Sequence, residues 1–218
     1  METNKKQLKI LELFCGTKSI GKVFEEQGYQ VYSIDFDKKF NPTLCIDILK
    51  FDISMLPKEW QTLDVIWASP PCTEYSKAKS RGKRNIEYAN SIVKKTLKII
   101  NELKPKYWFL ENPQTGLLKK QPILNDFPNY QLGFKDVSYC KYGLPYRKQT
   151  RIWTNCSQWK PRPICRKDCK FMVGNRHEKN IANGRKEWGN KAFRLTEKYA
   201  IPKDLGLEIL KEVNLDGN

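Results

Sequence analysis

A chain of 218 residues with 40 Lys+Arg, 24 Asp+Glu, one His and seven Cys carries a formal charge of +16. That length supports one well-cored domain with a small appendage and excludes a multi-domain array. The longest apolar runs, at 65–68 and 107–110, are about four residues where a membrane span needs roughly 20, so no span is expected.

The opening METNKKQ passes straight into an alternating strand pattern with no leader-like apolar core, so secretion is not expected. Residues 8–14 then form a short apolar run ending in a Cys-Gly turn. Residues 19–28 have helical spacing (Ile20, Val23, Phe24) and a glycine stop. Residues 30–35 read as a second strand ending in an acid, and residues 63–69 as a third, broken by Pro70-Pro71. The longest helix pattern covers 86–103, with Ile92, Val93, Leu97, Ile100 and Leu103 on one face. Residues 107–111 form another buried-type strand, stopped by Asn112-Pro113. This alternation predicts an α/β fold: a doubly wound, mostly parallel open sheet with helices on both faces. Beyond Trp153 the pattern dissolves into Pro, Gly, Cys and basic residues until about Lys191, and residues 202–213 read as a terminal amphipathic helix with Pro202 near its first turn.

The odd, scattered set of cysteines argues against a disulfide framework and for reduced thiols in a cytosol-like, cytoplasmic setting. The charge is unevenly spread. Residues 141–191 hold 14 Lys+Arg and three acids, +11 of the +16, and Lys77, Lys79, Arg81, Lys83 and Arg84 make a second cluster. A solvated basic surface would look similar. Interleaving with Trp153, Trp159, Phe171 and Trp188 tilts the balance toward nucleic acid, because phosphates need cations and bases need flat faces.

Ligands of such sheets bind at the carboxyl ends of the strands, where this sequence places chemically able residues: Phe14-Cys15-Gly16, Asp35, Pro70-Pro71-Cys72 and Glu111-Asn112. The turn Leu13 to Ser19 has small residues without a full Gly-x-Gly-x-x-Gly, so it reads equally as a cofactor loop or a plain turn. Asp35 and Asp47 can accept hydrogen bonds from ribose hydroxyls or an exocyclic amine, and Phe36 can cover an adenine face. Two prolines stiffen the chain before Cys72 and set its thiol on a turn, where nearby Lys and Arg are expected to lower its pKa and make it a nucleophile. Cys15 and Cys45 read instead as buried fillers. Glu111, at the end of a neighbouring strand, is suited to protonating a ring nitrogen.

The ordered set LELFCGTKS, SIDFD, CIDI, IWASPPCTEYS, WFLENP and RKQTRIW, over about residues 8–154, resembles the cytosine carbon-5 DNA methyltransferase family, its small viral or phage-type members above all. The resemblance implies a Rossmann-like class I methyltransferase fold, S-adenosylmethionine as methyl donor and a cytosine flipped out of double-stranded DNA. It implies that Cys72 adds to carbon 6, that protonated Glu111 binds ring nitrogen 3 and the exocyclic amine, and that Arg151 holds the base carbonyl and Glu111. For the cofactor it implies Phe14, Cys15 and Gly16 around the methionine moiety and Asp35 at the ribose. Phe36 and Ile48 would sandwich adenine, with Asp47 at its amine and Pro71 close by. Thr73 and Ser76 match positions that touch phosphate or base, and residues 76–84 match a mobile loop that closes on DNA.

The chain departs from the family pattern in three places. Phe-x-Gly-x-Gly has become Phe14-Cys15-Gly16-Thr17-Lys18. Gln-x-Arg-x-Arg has become Arg147-Lys148-Gln149-Thr150-Arg151, with only the last position kept. Tyr199-Ala200-Ile201-Pro202 stands where Asn-x-Val-Pro is usual. Only 45 residues separate Trp153 from Tyr199, too few for the usual target-recognition domain, which predicts a short or relaxed target site. The expected division is a catalytic domain of 1–154 with 195–218 and a basic Cys/His recognition segment of 155–194. Within it, Cys165-x3-Cys169-x7-His177 fits zinc ligands in type and approximate spacing, the fourth being Cys140, favoured, or Cys156. A small loop-rich segment needs such a staple. A monomeric enzyme is expected. The rivals are the same chemistry on RNA such as tRNA, and an inactive DNA-binding homologue, which would have no use for Cys72, Glu111 and Arg151 together.

Overall fold

The computed structural model describes residues 7–77, 79, 81–125, 133–179, 197 and 199–214. The first four main strands are short, and the inner ones are buried along most of their length, as parallel strands covered on two sides must be. They are β1 (Lys9–Leu13), β2 (Gln30–Asp35), β3 (Leu44–Cys45) and β4 (Val65–Ala68), with β4 buried at every residue. β5 (Tyr107–Pro113) follows, then β6 (Gly133–Ser138) and β7 (Gln149–Thr154). Together they form one seven-stranded sheet in the order β3-β2-β1-β4-β5-β7-β6, parallel except for β7, which runs antiparallel to both neighbours. The α/β, mostly parallel expectation holds.

Helix α1 (Gly21–Glu26) follows β1, α2 (Ile86–Leu103) precedes β5, and α3 (Lys203–Asn214) closes the described chain. The Asn85 side chain caps α2 by accepting from the Tyr88 amide at 3.0 Å, and Lys104 ends it in the left-handed conformation just before Pro105. Its buried stripe (Ile92, Val93, Leu97, Ile100) packs with Leu11, Ile66, Trp108 and Leu110 on one face of the sheet. On the other face, Val23 and Phe24 of α1 and Leu205, Ile209 and Val213 of α3 pack with Ile10, Trp67, Phe109 and Ile152. Gly206 lets the two helices touch: a Cβ there would meet Val23 at 3.0 Å.

The strand order reverses between β1 and β4. Chains leaving their carboxyl ends diverge to opposite sides and open a crevice there. Phe14-Cys15-Gly16 and Ser69-Pro70-Pro71-Cys72 are the two loops that border it. Among the described residues no helix is long and apolar enough to cross a membrane.

The segment after β7 is attached to the sheet domain. Trp159 is fully buried, edge-on to Phe109 at 6.1 Å, and its indole N–H donates to Glu208 of α3 at 3.0 Å. Trp153 is buried as well. These two rings are therefore core residues, which corrects their expected use as exposed faces for bases: they are packed on both sides. Trp188, with the basic residues from Arg185 to Lys191, lies outside the described residues. Beyond Trp159 a two-stranded hairpin, β8 (Met172–Val173) with β9 (Arg176–His177), is the segment's regular structure among the described residues.

Candidate active site

The crevice is shaped by how β1 ends. Phe14 and Gly16 both take positive φ, 58° and 47°, so the chain turns sharply off the strand. Buried Asp35, at the end of β2, fixes that turn: its carboxylate accepts from the Gly16 amide and from the Asp37 amide, each at 2.9 Å. A carboxylate has about four acceptor positions, so Asp35 keeps capacity for a ligand hydroxyl. Phe36 stands 71% exposed beside it, a flat apolar face turned to solvent. Asp47 is half-buried, with one oxygen accepting from the Leu49 amide at 3.0 Å, and Ile48 behind it is buried. Pro71 is exposed on the opposite loop. Cys15 is buried and its thiol is pushed up to about 12, by burial first and then by Glu12 and Asp35. Its side chain is the filler expected of it. Cys45 does not fit the filler expectation: it is exposed, its Sγ 3.5 Å from the Phe36 carbonyl.

Cys72 sits on the loop after β4, and that loop is pinned from three sides. The Asn112 side-chain amide donates to the Pro70 carbonyl at 3.0 Å, the Tyr75 amide closes the turn onto the Cys72 carbonyl at 3.1 Å, and the Leu117 amide donates to the Tyr75 carbonyl at 2.9 Å. Fully buried Tyr75 also donates its hydroxyl to Asn90 of α2 at 2.7 Å. Two loops leaving adjacent parallel strands are thereby locked together, the first bearing Cys72 and the second following Glu111. The expected lowering of the Cys72 thiol does not hold: burial raises it above its ordinary value, Glu111 adds to the rise, and Lys148 opposes it only in part. Glu111 is buried, accepts from the Tyr139 hydroxyl at 3.2 Å and has the Lys148 ammonium 3.7 Å away.

Arg151 is not brought to this pair. In the β5–β7 register Glu111 lies opposite Ile152 and Arg151 opposite Asn112, so the two charged side chains leave opposite faces of the sheet. Arg151 instead makes a two-pronged pair with Asp136 of β6, both contacts 2.8 Å, and stacks 3.6 Å over the Phe134 ring. The cation beside Glu111 is Lys148, two residues' alternation from Ile152 and Thr150 on the Glu111 face. Sequence reasoning missed it because only the register shows which of the basic residues at 147–151 faces the acid.

The loop at 74–85 is folded on itself. Glu74 accepts from Lys79 at 2.6 Å and from the Asn85 amide at 2.7 Å, while Arg84 donates to the carbonyls of Glu74, Ser76 and Lys79. Lys79 and Arg84 thus organise the loop, and Lys77, Arg81 and Lys83 are its exposed cations. Thr73 is exposed and Ser76 half-buried on the same loop.

A second cluster lies where β6 ends. Ligand atoms of Cys140, Cys165, Cys169 and His177 all fall within 4.8 Å of one another, with Cys165 Sγ and His177 Nε2 3.4 Å apart. Three thiols and an imidazole at these separations fit the edges of a tetrahedral zinc site in donor type and number. The Cys165 thiol is drawn below its ordinary value despite burial, by the amides of Lys167 and Asp168 and by the neighbouring thiols. Burial, then Arg147 and Lys167, holds His177 low, favouring the neutral ring. Cys156 is not part of the cluster. It is buried in the core with Trp159, so Cys140 takes the fourth position.

The C-5 cytosine-specific DNA methylase family profile matches residues 8–144, well over half of the chain. The chain belongs to that family. By class it is a DNA (cytosine-5-)-methyltransferase. A protein of Frog virus 3 (isolate Goorha), named a probable DNA (cytosine-5)-methyltransferase, is 30% identical over 93% of this chain and 99% of its own length. Two solved structures share the fold: a DNA modification methyltransferase encoded within an E. coli prophage (TM-score 0.56, 18% identity, 73% of this chain and 52% of the other) and DNMT2 of Spodoptera frugiperda (TM-score 0.51, 20% identity, 77% and 57%). The chain spans about half the length of these two structures.

Proposed function

We propose that this methyltransferase moves a methyl group from S-adenosylmethionine to carbon 5 of a cytosine rotated out of duplex DNA, through a temporary bond from Cys72 to carbon 6. The observation that carries this is the locking of the Cys72 loop to the loop after Glu111, which sets a half-buried thiol and a buried carboxyl within each other's field. When bound, S-adenosylmethionine supplies an electrophilic methyl. The crevice fits it: an exposed phenyl ring, the half-buried Asp47 and buried Asp35 carboxylates with acceptor capacity to spare, and a tight turn are the donor set an adenosine and an amino-acid tail require. Phe36 and Ile48 would hold the adenine, Asp47 its amine, Asp35 the ribose, and the Phe14–Gly16 turn with Pro71 the rest.

Carbon 5 of cytosine is a poor nucleophile. The Cys72 thiol gives up its proton to solvent and adds as thiolate to carbon 6, while Glu111, protonated as the base binds, donates to ring nitrogen 3 and neutralises the charge that develops there, leaving the ring an enamine. After methyl transfer, solvent takes the carbon-5 proton, and the electrons of that bond restore the 5,6 double bond and expel Cys72 as thiolate. At rest the thiol is held protonated by burial and by Glu111. A base that engages Glu111 removes part of that opposition, so nucleophile formation is coupled to base binding.

We also assign zinc to Cys140, Cys165, Cys169 and His177. It would staple a recognition segment of 155–194 to a catalytic domain of 1–154 with 195–218, acting as a monomer on double-stranded DNA.

The test is incubation with labelled cofactor and a duplex containing 5-fluorocytosine. Parent protein forms a denaturant-resistant adduct, and Cys72→Ser loses adduct and turnover, by on the order of 10³-fold or more. Cys72→Ser methylating like the parent refutes the assignment. Transfer to tRNA but not to duplex DNA would favour the RNA rival.

A further inference from the structure

Lys148 is a lysine with side-chain exposure of only 15%, and a cation withdrawn from water needs an anionic or aromatic partner. It has both. Its ammonium lies 3.7 Å from Glu111 Oε1 and 4.8 Å from the centre of the Tyr139 ring, and Tyr139 itself donates to the same carboxylate oxygen. The backbone closes the arrangement: the Tyr139 amide donates to the Lys148 carbonyl at 3.1 Å. Carboxylate, phenol and ammonium therefore form one unit in which each member fixes the other two. The charged groups acting on the Cys72 thiol among the described residues are Glu111 from β5 and Lys148 from the chain entering β7, with opposite signs. Arg151 is engaged with Asp136 and Phe134 on the other face.

We infer that Lys148 is the positioning residue of this site: seated between the Tyr139 ring and the Glu111 carboxylate, it fixes the acid and sets a positive charge beside it. Arg151 braces the β6–β7 edge. A carboxylate left without Lys148 would repel the developing thiolate and swing away from ring nitrogen 3. The inference rests on Cys72 and Glu111 being the reacting pair.

The experiment measures the alkylation rate of Cys72 against pH, by mass spectrometry of its peptide, in full-length parent, Lys148→Gln, Lys148→Met, Lys148→Arg and Arg151→Gln. Adduct formation on the fluorocytosine duplex is measured in the same proteins. Removing the charge is expected to move the Cys72 profile up by about one pH unit. Adduct formation should slow by on the order of 10- to 100-fold, with the KM for DNA nearly unchanged. Lys148→Arg restores most of both, and Arg151→Gln keeps the parent profile. A Cys72 profile that stays in place in Lys148→Gln, or that moves as far in Arg151→Gln, overturns the inference. Two neutral variants guard against a folding defect in either one. Failure of the parent to form any adduct would instead refute the proposed reaction, and the thiol profile would still decide the role of Lys148.

Discussion

Glu12 shows how a single buried side chain ties stability to pH. It points from β1 under the start of α1, where Oε1 accepts from the Ile20 amide at 3.2 Å, and a Cβ at position 21 would stand 2.6 Å from Oε2. Only glycine at 21 allows that approach. Burial is the main cause that lifts this carboxyl from 4.5 to about 7, with the helix amides pulling the other way. The folded protein keeps this proton up to about pH 7, whereas the unfolded chain loses it near 4.5. Folding takes up a proton between those values, so stability falls as pH rises through that window and levels above it. Across the window the loss is about 3 kcal/mol. Glu12→Gln removes the dependence. Urea unfolding of parent and variant near pH 4.5 and pH 8 should show the glutamine protein gaining about that much relative to the parent at the higher pH. A difference independent of pH would show that Glu12 titrates in the folded protein as it does in the unfolded chain.

Among the elements, those that cross the core were legible from pattern: burial on two faces leaves short apolar runs in the strands, and a one-sided stripe marks α2. β1, β2, β4, β5 and α2 lie within a few residues of their expected places. β3, with two residues, and β6, exposed along its first half, carry no such signature, because an edge strand has one neighbour and much contact with water. The same physics governs the site. Cys72 and Glu111 stood out as candidate reactive residues at strand ends flanked by proline. Lys148 did not, since its role depends on a pairing register no local pattern encodes. The Cys/His cluster was legible by residue type, and the fold chose Cys140 over Cys156 by placing Cys156 in the core. Cys140 directly follows Tyr139, so a metal held there also braces the phenol on Glu111. Metal removal therefore has a local signature. Protein purified under reducing conditions should carry about one zinc per chain, and chelation should raise hydrogen exchange at residues 138–142 and 165–177 while α2 keeps its protection. Absence of bound zinc, or uniform loss of protection, would show that the cluster is not a structural staple.

On the scale of the whole molecule, +16 overstates what faces a polyanion. Several cations of the basic stretch are committed internally: Lys141 to Asp168 at 2.9 Å, Lys148 to Glu111, Arg151 to Asp136, and Arg162 to Asp204 and Glu208 at 3.2 and 3.3 Å. Arg162 also lies 4.6 Å over the Tyr142 ring, joining the segment after β7 to α3. Arg147, Lys160, Arg166 and Lys170 remain exposed along the stretch of chain that carries the Cys/His cluster. If these are the phosphate contacts, each releases counterions on binding and adds about 0.9 to the slope of log affinity against log salt. Replacing Lys160, Arg166 and Lys170 together with glutamine should flatten that slope by about 2 to 3 for duplexes of any sequence and leave thermal stability nearly unchanged. Arg162→Gln should do the reverse, lowering the melting temperature with little effect on the slope, because its charge is spent on α3. Fluorescence anisotropy across a salt series with melting curves separates the two. An unchanged slope in the triple variant would move the DNA-binding face away from the cluster and toward the exposed cations of the Cys72 loop, Lys77, Arg81 and Lys83.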